Sequence, residues 1–164
     1  VKNTGIFITA FIILLFSLPL IPCEPDAGQE KTVRILLSGF FDSDIVLECV
    51  SEPFFYFKVA KGRDKYCFLL SREMGTSQTG YNDLIHLGLL IDSNADLVEA
   101  FILSHSDTEG FIEYIKESGF FSDIRSCDDI SKVDAISGAT LSCQAIKSGI
   151  IRTLNRYRDE VLDK

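Results

Sequence analysis

Apolar and polar residues alternate with a period of two through three short runs, Ile45 to Val50, Phe54 to Ala60 and Tyr66 to Ser71. Successive side chains of a strand point to opposite faces of a sheet, so each run is expected to be a strand. Pro53 and the Lys61-Gly62-Arg63-Asp64 stretch supply the turns between them. A second strand pair, Leu84 to Asp92 and Leu97 to Ser104, is joined by Ser93-Asn94-Ala95-Asp96. An antiparallel meander follows from that order.

Elsewhere the apolar spacing lengthens to three and four. Lys31 to Phe41 is apolar at Val33, Ile35, Leu36, Leu37, Phe40 and Phe41, which fits a short helix ending near Gly39, with a strand as the alternative. Glu109 to Ser118 is helical through Ile112 and Ile115, and Gly119 is placed to end it. From Ser137 to the C-terminus, Ala139, Cys143, Ile146, Ile150, Leu154, Tyr157 and Val161 draw one apolar stripe. Lys147, Arg152, Arg156 and Arg158 crowd its later turns, where the helix dipole favours cations. The expected class is α+β: an antiparallel β-meander packed with helices and ending in a long C-terminal helix.

The run from Gly5 to Ile21 carries no charge and interrupts this scheme. Its apolar centre and the prolines that follow predict a signal peptide or membrane anchor over residues 1–23, with a buried core helix as the lesser alternative. Leu20-Ile21-Pro22-Cys23 is similar to a lipoprotein cleavage box, although Pro22 stands where a small residue is usual. Residues 24–30 read as a linker and 31–164 as the folded domain. The domain is therefore expected to be exported, on the periplasmic or extracytoplasmic face of a membrane, with membrane attachment through the leader.

Composition narrows the class of partner. Across 164 residues, 46% hydrophobic and 24% charged content excludes disorder. With 16 Lys+Arg against 24 Asp+Glu the net charge is −8, which opposes binding to a phosphate backbone and favours a basic protein partner. Beyond Cys23, the cysteines are Cys49, Cys67, Cys127 and Cys143. Two disulfides and free thiols in apolar gaps are both open. No CxxC occurs, and no Cys/His spacing suits zinc. Asp92-x-Asn94-x-Asp96 begins like an EF-hand loop, but Leu97 and Leu103 stand where Gly and Glu are required, so a hairpin turn is the better reading.

Candidate chemistry gathers at Asp134-Ala135-Ile136-Ser137-Gly138-Ala139-Thr140-Leu141-Ser142, where the long helix opens. With Ser137 as N-cap, Thr140 falls at N3. The first N–H groups of a helix lack internal acceptors and carry the positive end of the dipole, so an anion such as a phosphate is favoured there. Gly138 and Ala139 permit close approach to the backbone, and Thr140 offers a hydroxyl for esterification. An ordinary Ser-capped helix start is the competing explanation.

Asp134-x-x-Ser137-Gly138-Ala139-Thr140-x-Ser142 resembles the modification site of the FMN-binding domain family, whose members carry flavin covalently on threonine. The resemblance implies FMN on Thr140 through a phosphoester, installed outside the cytoplasm by a flavin transferase. Asp134, Ser137, Gly138 and Ala139 would then be recognition positions and Ser142 a neighbour of the phosphate. Gly80-Tyr81, Ile85 and Ile91-Asp92 resemble the family's strand pair. His105-Ser106-Asp107-Thr108-Glu109-Gly110-Phe111 is similar to its flavin-side stretch, with Asp107 replacing Glu and Glu109 replacing Pro. Tyr81, Thr108, Gly110 and Phe111 are the candidates to wall the ring, each also explicable as core or turn. His105, His86 and Cys143 fit structural roles better than catalytic ones. No catalytic residue and no metal ligand is assigned.

The reading that follows is an exported carrier relaying electrons between membrane redox partner proteins, more than a stand-alone enzyme. A flavin-dependent reductase acting outside the cytoplasm and a flavin-free binding or structural lipoprotein are the alternatives.

Overall fold

The structure, a computed structural model, describes residues 27–163. Helix α1 spans Ala27–Phe41. Strands β1 (Val46–Val50), β2 (Tyr56–Lys61) and β3 (Asp64–Leu70) follow, then the short β4 (Gln78–Thr79), β5 (Leu84–Ile91) and β6 (Leu97–Ser104). Helices α2 (Glu109–Glu117), α3 (Phe120–Ser126) and α4 (Thr140–Tyr157) complete the fold, with a 3-10 turn at Ile130–Lys132 and a π turn at Arg158–Leu162. All strand pairs are antiparallel: β1 with β2, β2 with β3, β3 with β5 and β5 with β6. Strand β4 pairs with the first residues of β5, Gln78 opposite Ile85 and Thr79 opposite Leu84. The architecture is α+β, a six-stranded antiparallel sheet with helices on both faces.

Alternation along the strands assigns the two faces. Phe57, Val59, Phe68, Leu70 and Leu90 pack with Val33 and Leu37 of α1. Their neighbours Tyr56, Leu69, Leu87, Leu89 and Ile91 turn the other way and pack beneath α2, α3 and α4. Each large apolar side chain so buried contributes about 1.5–3 kcal/mol relative to exposure. Close approaches are made possible by glycine: a β-carbon on Gly88 would stand 2.3 Å from Cζ of Phe68, and one on Gly149 would stand 2.9 Å from Cδ1 of Leu87. Gly149 thereby lets α4 lie low across β5, and a hydroxyl pair one turn on, Thr153 with Thr76 at 2.6 Å, fixes it there.

Several expectations are corrected. Residues 27–30, read as linker, are the first turn of α1. Thr32 Oγ1 donates to the Gly28 carbonyl at 2.9 Å and Arg34 pairs with Glu30 at 2.9 Å, local contacts that draw this polar stretch into the helix. The helix also runs past Gly39 to Phe41. The predicted leader lies outside the described residues, among which no helix is long and apolar enough to cross a membrane. Cys67, Cys127 and Cys143 are free thiols, so the two-disulfide alternative does not hold. The Asp92 to Asp96 segment is a hairpin turn, in which Oδ1 of Asp92 accepts from the N–H groups of Asn94 and Asp96, each at 2.9 Å.

Candidate functional site

The long helix begins later than its composition predicts. Ala139 N–H donates to the Ile136 carbonyl at 3.0 Å, closing a turn whose third residue, Gly138, has φ +86°. A turn with positive φ at that position favours glycine. Ser137 is consumed by this turn and is not the N-cap; Ala139 is, and Thr140 occupies N1 instead of N3. Cys143 N–H to Ala139 O, at 2.9 Å, is the first closed helical turn. The N–H groups of Thr140, Leu141 and Ser142 precede it, at the positive end of an 18-residue helix.

Two further elements converge on this helix start. The chain between β4 and β5 turns at Gly80, whose N–H donates to the Asp83 carbonyl at 2.8 Å, and presents Tyr81 outward. Helix α2 starts after Thr108, whose carbonyl accepts from Phe111 N–H at 3.0 Å and Ile112 N–H at 3.3 Å. Between these segments lies a cavity of about 470 Å³, lined by Tyr81, Thr108, Phe111, Gly138, Ala139, Thr140, Leu141 and Ser142. Three of its apolar side chains remain open, with Tyr81 67%, Leu141 53% and Phe111 45% exposed. Such side chains give up favourable burial unless something covers them.

Asp107 holds the arrangement together and is itself buried. Its Oδ2 accepts from Tyr81 N–H at 3.0 Å and from the Ser142 hydroxyl, while Oδ1 accepts from Asn82 N–H at 2.7 Å. Burial pushes the carboxyl pKa up. The hydrogen bonds from Asn82, Ser142 and Tyr81, with His105 nearby, outweigh that push and hold it below the usual carboxylate range. His105 itself is engaged locally, Nδ1 with the Asp107 carbonyl at 3.1 Å and Nε2 3.5 Å from Glu109.

Of the residues singled out in the sequence, Tyr81, Thr108, Phe111, Gly138, Ala139, Thr140 and Ser142 line this one cavity. Asp134, Ser137 and Gly110 are exposed beside it, in the lead-in loop, the turn and the first turn of α2, without lining it. Cys143 is fully buried in the core, and His86 faces Ser77 Oγ at 2.7 Å, outside the cavity lining. Leu141 joins the site although the sequence does not single it out, and Asp107, noted in the sequence only as the residue replacing Glu in the flavin-side stretch, joins it as a buried anchor. An apolar residue at the helix start hints at the first, whereas the signal for Asp107 is its place in the stretch that resembles the family's flavin side. Lys147 makes an unexpected contact as well, for its Nζ donates to the Ser131 and Val133 carbonyls and pins the lead-in loop to α4.

The donor set decides what fits. Unpaired N–H groups at a helix start suit a phosphate, a point of attachment is offered by the exposed Thr140 hydroxyl, and open aromatic and aliphatic walls suit a planar ring. About 470 Å³ lies within the range of small-molecule cofactor sites. The class so defined is a protein that binds a phosphorylated aromatic cofactor.

Residues 80–155 match the family model of the FMN-binding domain, and the match indicates FMN as the cofactor. The matched residues include every residue that lines the cavity. No curated protein matches the chain.

Proposed function

We propose that this flavoprotein carries FMN covalently on Thr140 and relays electrons between redox partners on the outer side of a membrane. Attachment forms a bond between Oγ1 of Thr140 and the FMN phosphorus of FAD, breaks the pyrophosphate link with loss of AMP, and releases the threonine proton to the transferase. Once bound, the flavin supplies one- and two-electron chemistry. The chain's own residues do the rest: the N–H groups of Thr140 and Leu141 face the phosphate's negative charge, and Tyr81 and Phe111 cover the ring.

A single observation carries the reading: the Thr140 side chain is exposed at the helix start and opens on the same cavity as two exposed aromatic side chains. Export and membrane attachment rest on the uncharged run from Gly5 to Ile21. Redox partner proteins that dock at the ring are supported by Tyr114, 52% exposed and one turn from Phe111 on α2. The acidic balance favours basic ones.

Co-expression with a flavin transferase in an exporting host tests the reading. Yellow protein is expected, with fluorescence that survives denaturing electrophoresis and a mass gain of one FMN less one water. Thr140→Ala abolishes all three and Thr140→Ser retains them. Flavin still covalently present in Thr140→Ala would sink the assignment.

A further inference from the structure

Tyr81 and Ser142 belong to segments far apart in sequence, yet both are tied to one buried carboxylate, Asp107, at the end of the strand-to-helix connection between β6 and α2. Tyr81 and Asn82 hold the carboxylate itself through backbone N–H groups. Asn82 adds a side-chain bond to the Ser106 carbonyl at 2.9 Å. Gly80 brings the turn close enough: a β-carbon there would stand 2.4 Å from Oδ2 of Asp107. One carboxylate thus spans two walls of the cavity, the Tyr81 turn and the start of α4.

We propose that Asp107 is a positioning residue of the flavin site, clamping the Tyr81 wall to the first turn of α4 so that ring cover and attachment hydroxyl keep a fixed separation. The proposal rests on the attachment reading above. Its physical content is preorganisation: a covalent tether at Thr140 restrains only the phosphoryl end, and the other end of the cofactor needs a wall that does not drift. Ser142 transmits the clamp to the helix, since its hydroxyl is the contact between Asp107 and α4. In this arrangement the carboxylate acts through its neighbours and does not itself line the cavity.

The test has two arms. In protein produced without a transferase, amide hydrogen exchange is measured by NMR at Tyr81 and Asn82. Asp107→Asn should raise exchange at both by about tenfold while the amides of Leu89 and Leu90 keep their protection. Ser142→Ala, which leaves both N–H groups bonded to Asp107, should raise it less. In flavinylated protein, intact mass counts the adduct and fluorescence lifetime reports the ring. In the loaded fraction of Asp107→Asn and of Ser142→Ala, selected by intact mass, the lifetime should lengthen, because a displaced Tyr81 quenches less. Unchanged exchange in Asp107→Asn, or unchanged lifetimes in both fully loaded variants, overturns the clamp. If Asp107→Asn does not fold, the Ser142→Ala lifetime decides. A wild type without adduct overturns the attachment reading separately, and with it the ring-positioning role, while the exchange arm still decides whether Asp107 holds the turn.

Discussion

Gly80 and Asp107 are packed so closely that a β-carbon on the glycine would stand 2.4 Å from Oδ2 of the carboxylate and 2.8 Å from Cδ1 of Ile85. Neither neighbour can retreat cheaply, since Asp107 is held by three donors and Ile85 is 1% exposed in the core. We predict that Gly80→Ala destabilises the fold by about 1–3 kcal/mol, the cost of overpacking a filled site. Gly110, in the first turn of α2, has nothing within 4 Å of where a β-carbon would go. Gly110→Ala should therefore be neutral or stabilising by up to about 1 kcal/mol. Thermal melts of the two variants check the pair, and equal losses would refute the packing argument.

Gly138 presents the opposite problem. Space is open around it, but its φ of +86° is strained for any residue with a β-carbon. Gly138→Ala is predicted to cost about 1–2 kcal/mol through backbone strain alone, and Gly138→Asn less, because asparagine tolerates the left-handed region. The same turn sets Thr140 at N1, so flavinylation rates should fall in the order wild type, Gly138→Asn, Gly138→Ala. A Gly138→Ala protein that melts and loads like wild type would contradict the role given to this turn.

How far the sequence carries the picture depends on the reach of each interaction. Strands β1, β2, β3, β5 and β6 are legible because alternation is a local pattern. Thr140 is legible because the residues that make a helix start are neighbours in sequence. Ser137 misleads as an N-cap because its side-chain chemistry suits a cap, while Gly138, one residue on, imposes a turn that delays the helix to Thr140. Strand β4 is invisible at two residues. The resemblance marks the position of Asp107 but not its role, since its partners Tyr81, Asn82 and Ser142 lie 25 to 35 residues away and nothing in a single sequence pairs them.

Acid stability should show two separate limbs. Burial and Arg72 lower the His86 pKa from its ordinary 6.5, with Asp83 opposing. A lowered folded value means that its contribution is complete above 6.5 and is lost as pH falls below it. Asp107 is likewise lowered, from 3.8, so its contribution is complete above 3.8 and fades as pH falls further. Denaturant unfolding followed from pH 8 to 3 should lose stability first in the His86 window. His86→Gln is expected to flatten that limb alone, and Asp107→Asn only the slope at the acid end. A His86→Gln profile parallel to wild type between pH 7 and 5 would rule the assignment out.

Cys143 sits one turn after Thr140 on α4, a spacing that shares a helical face, and its place in the apolar stripe favours the core. In the fold it is 0% exposed, packed in the core beneath the helix, and burial pushes its thiol pKa up. Both effects suppress the thiolate that reacts with alkylating or disulfide reagents. A maleimide offered to the native protein at neutral pH is therefore predicted to leave Cys143 unmodified while Cys127, half-buried at the end of α3, reacts. Labelling of Cys143 should require opening of α4 from the sheet and so track global unfolding. Peptide mapping after a timed label reads both rates. Rapid native labelling of Cys143, or labelling that slows only when Thr140 carries flavin, would show that this face of α4 opens toward the cofactor and not into the core.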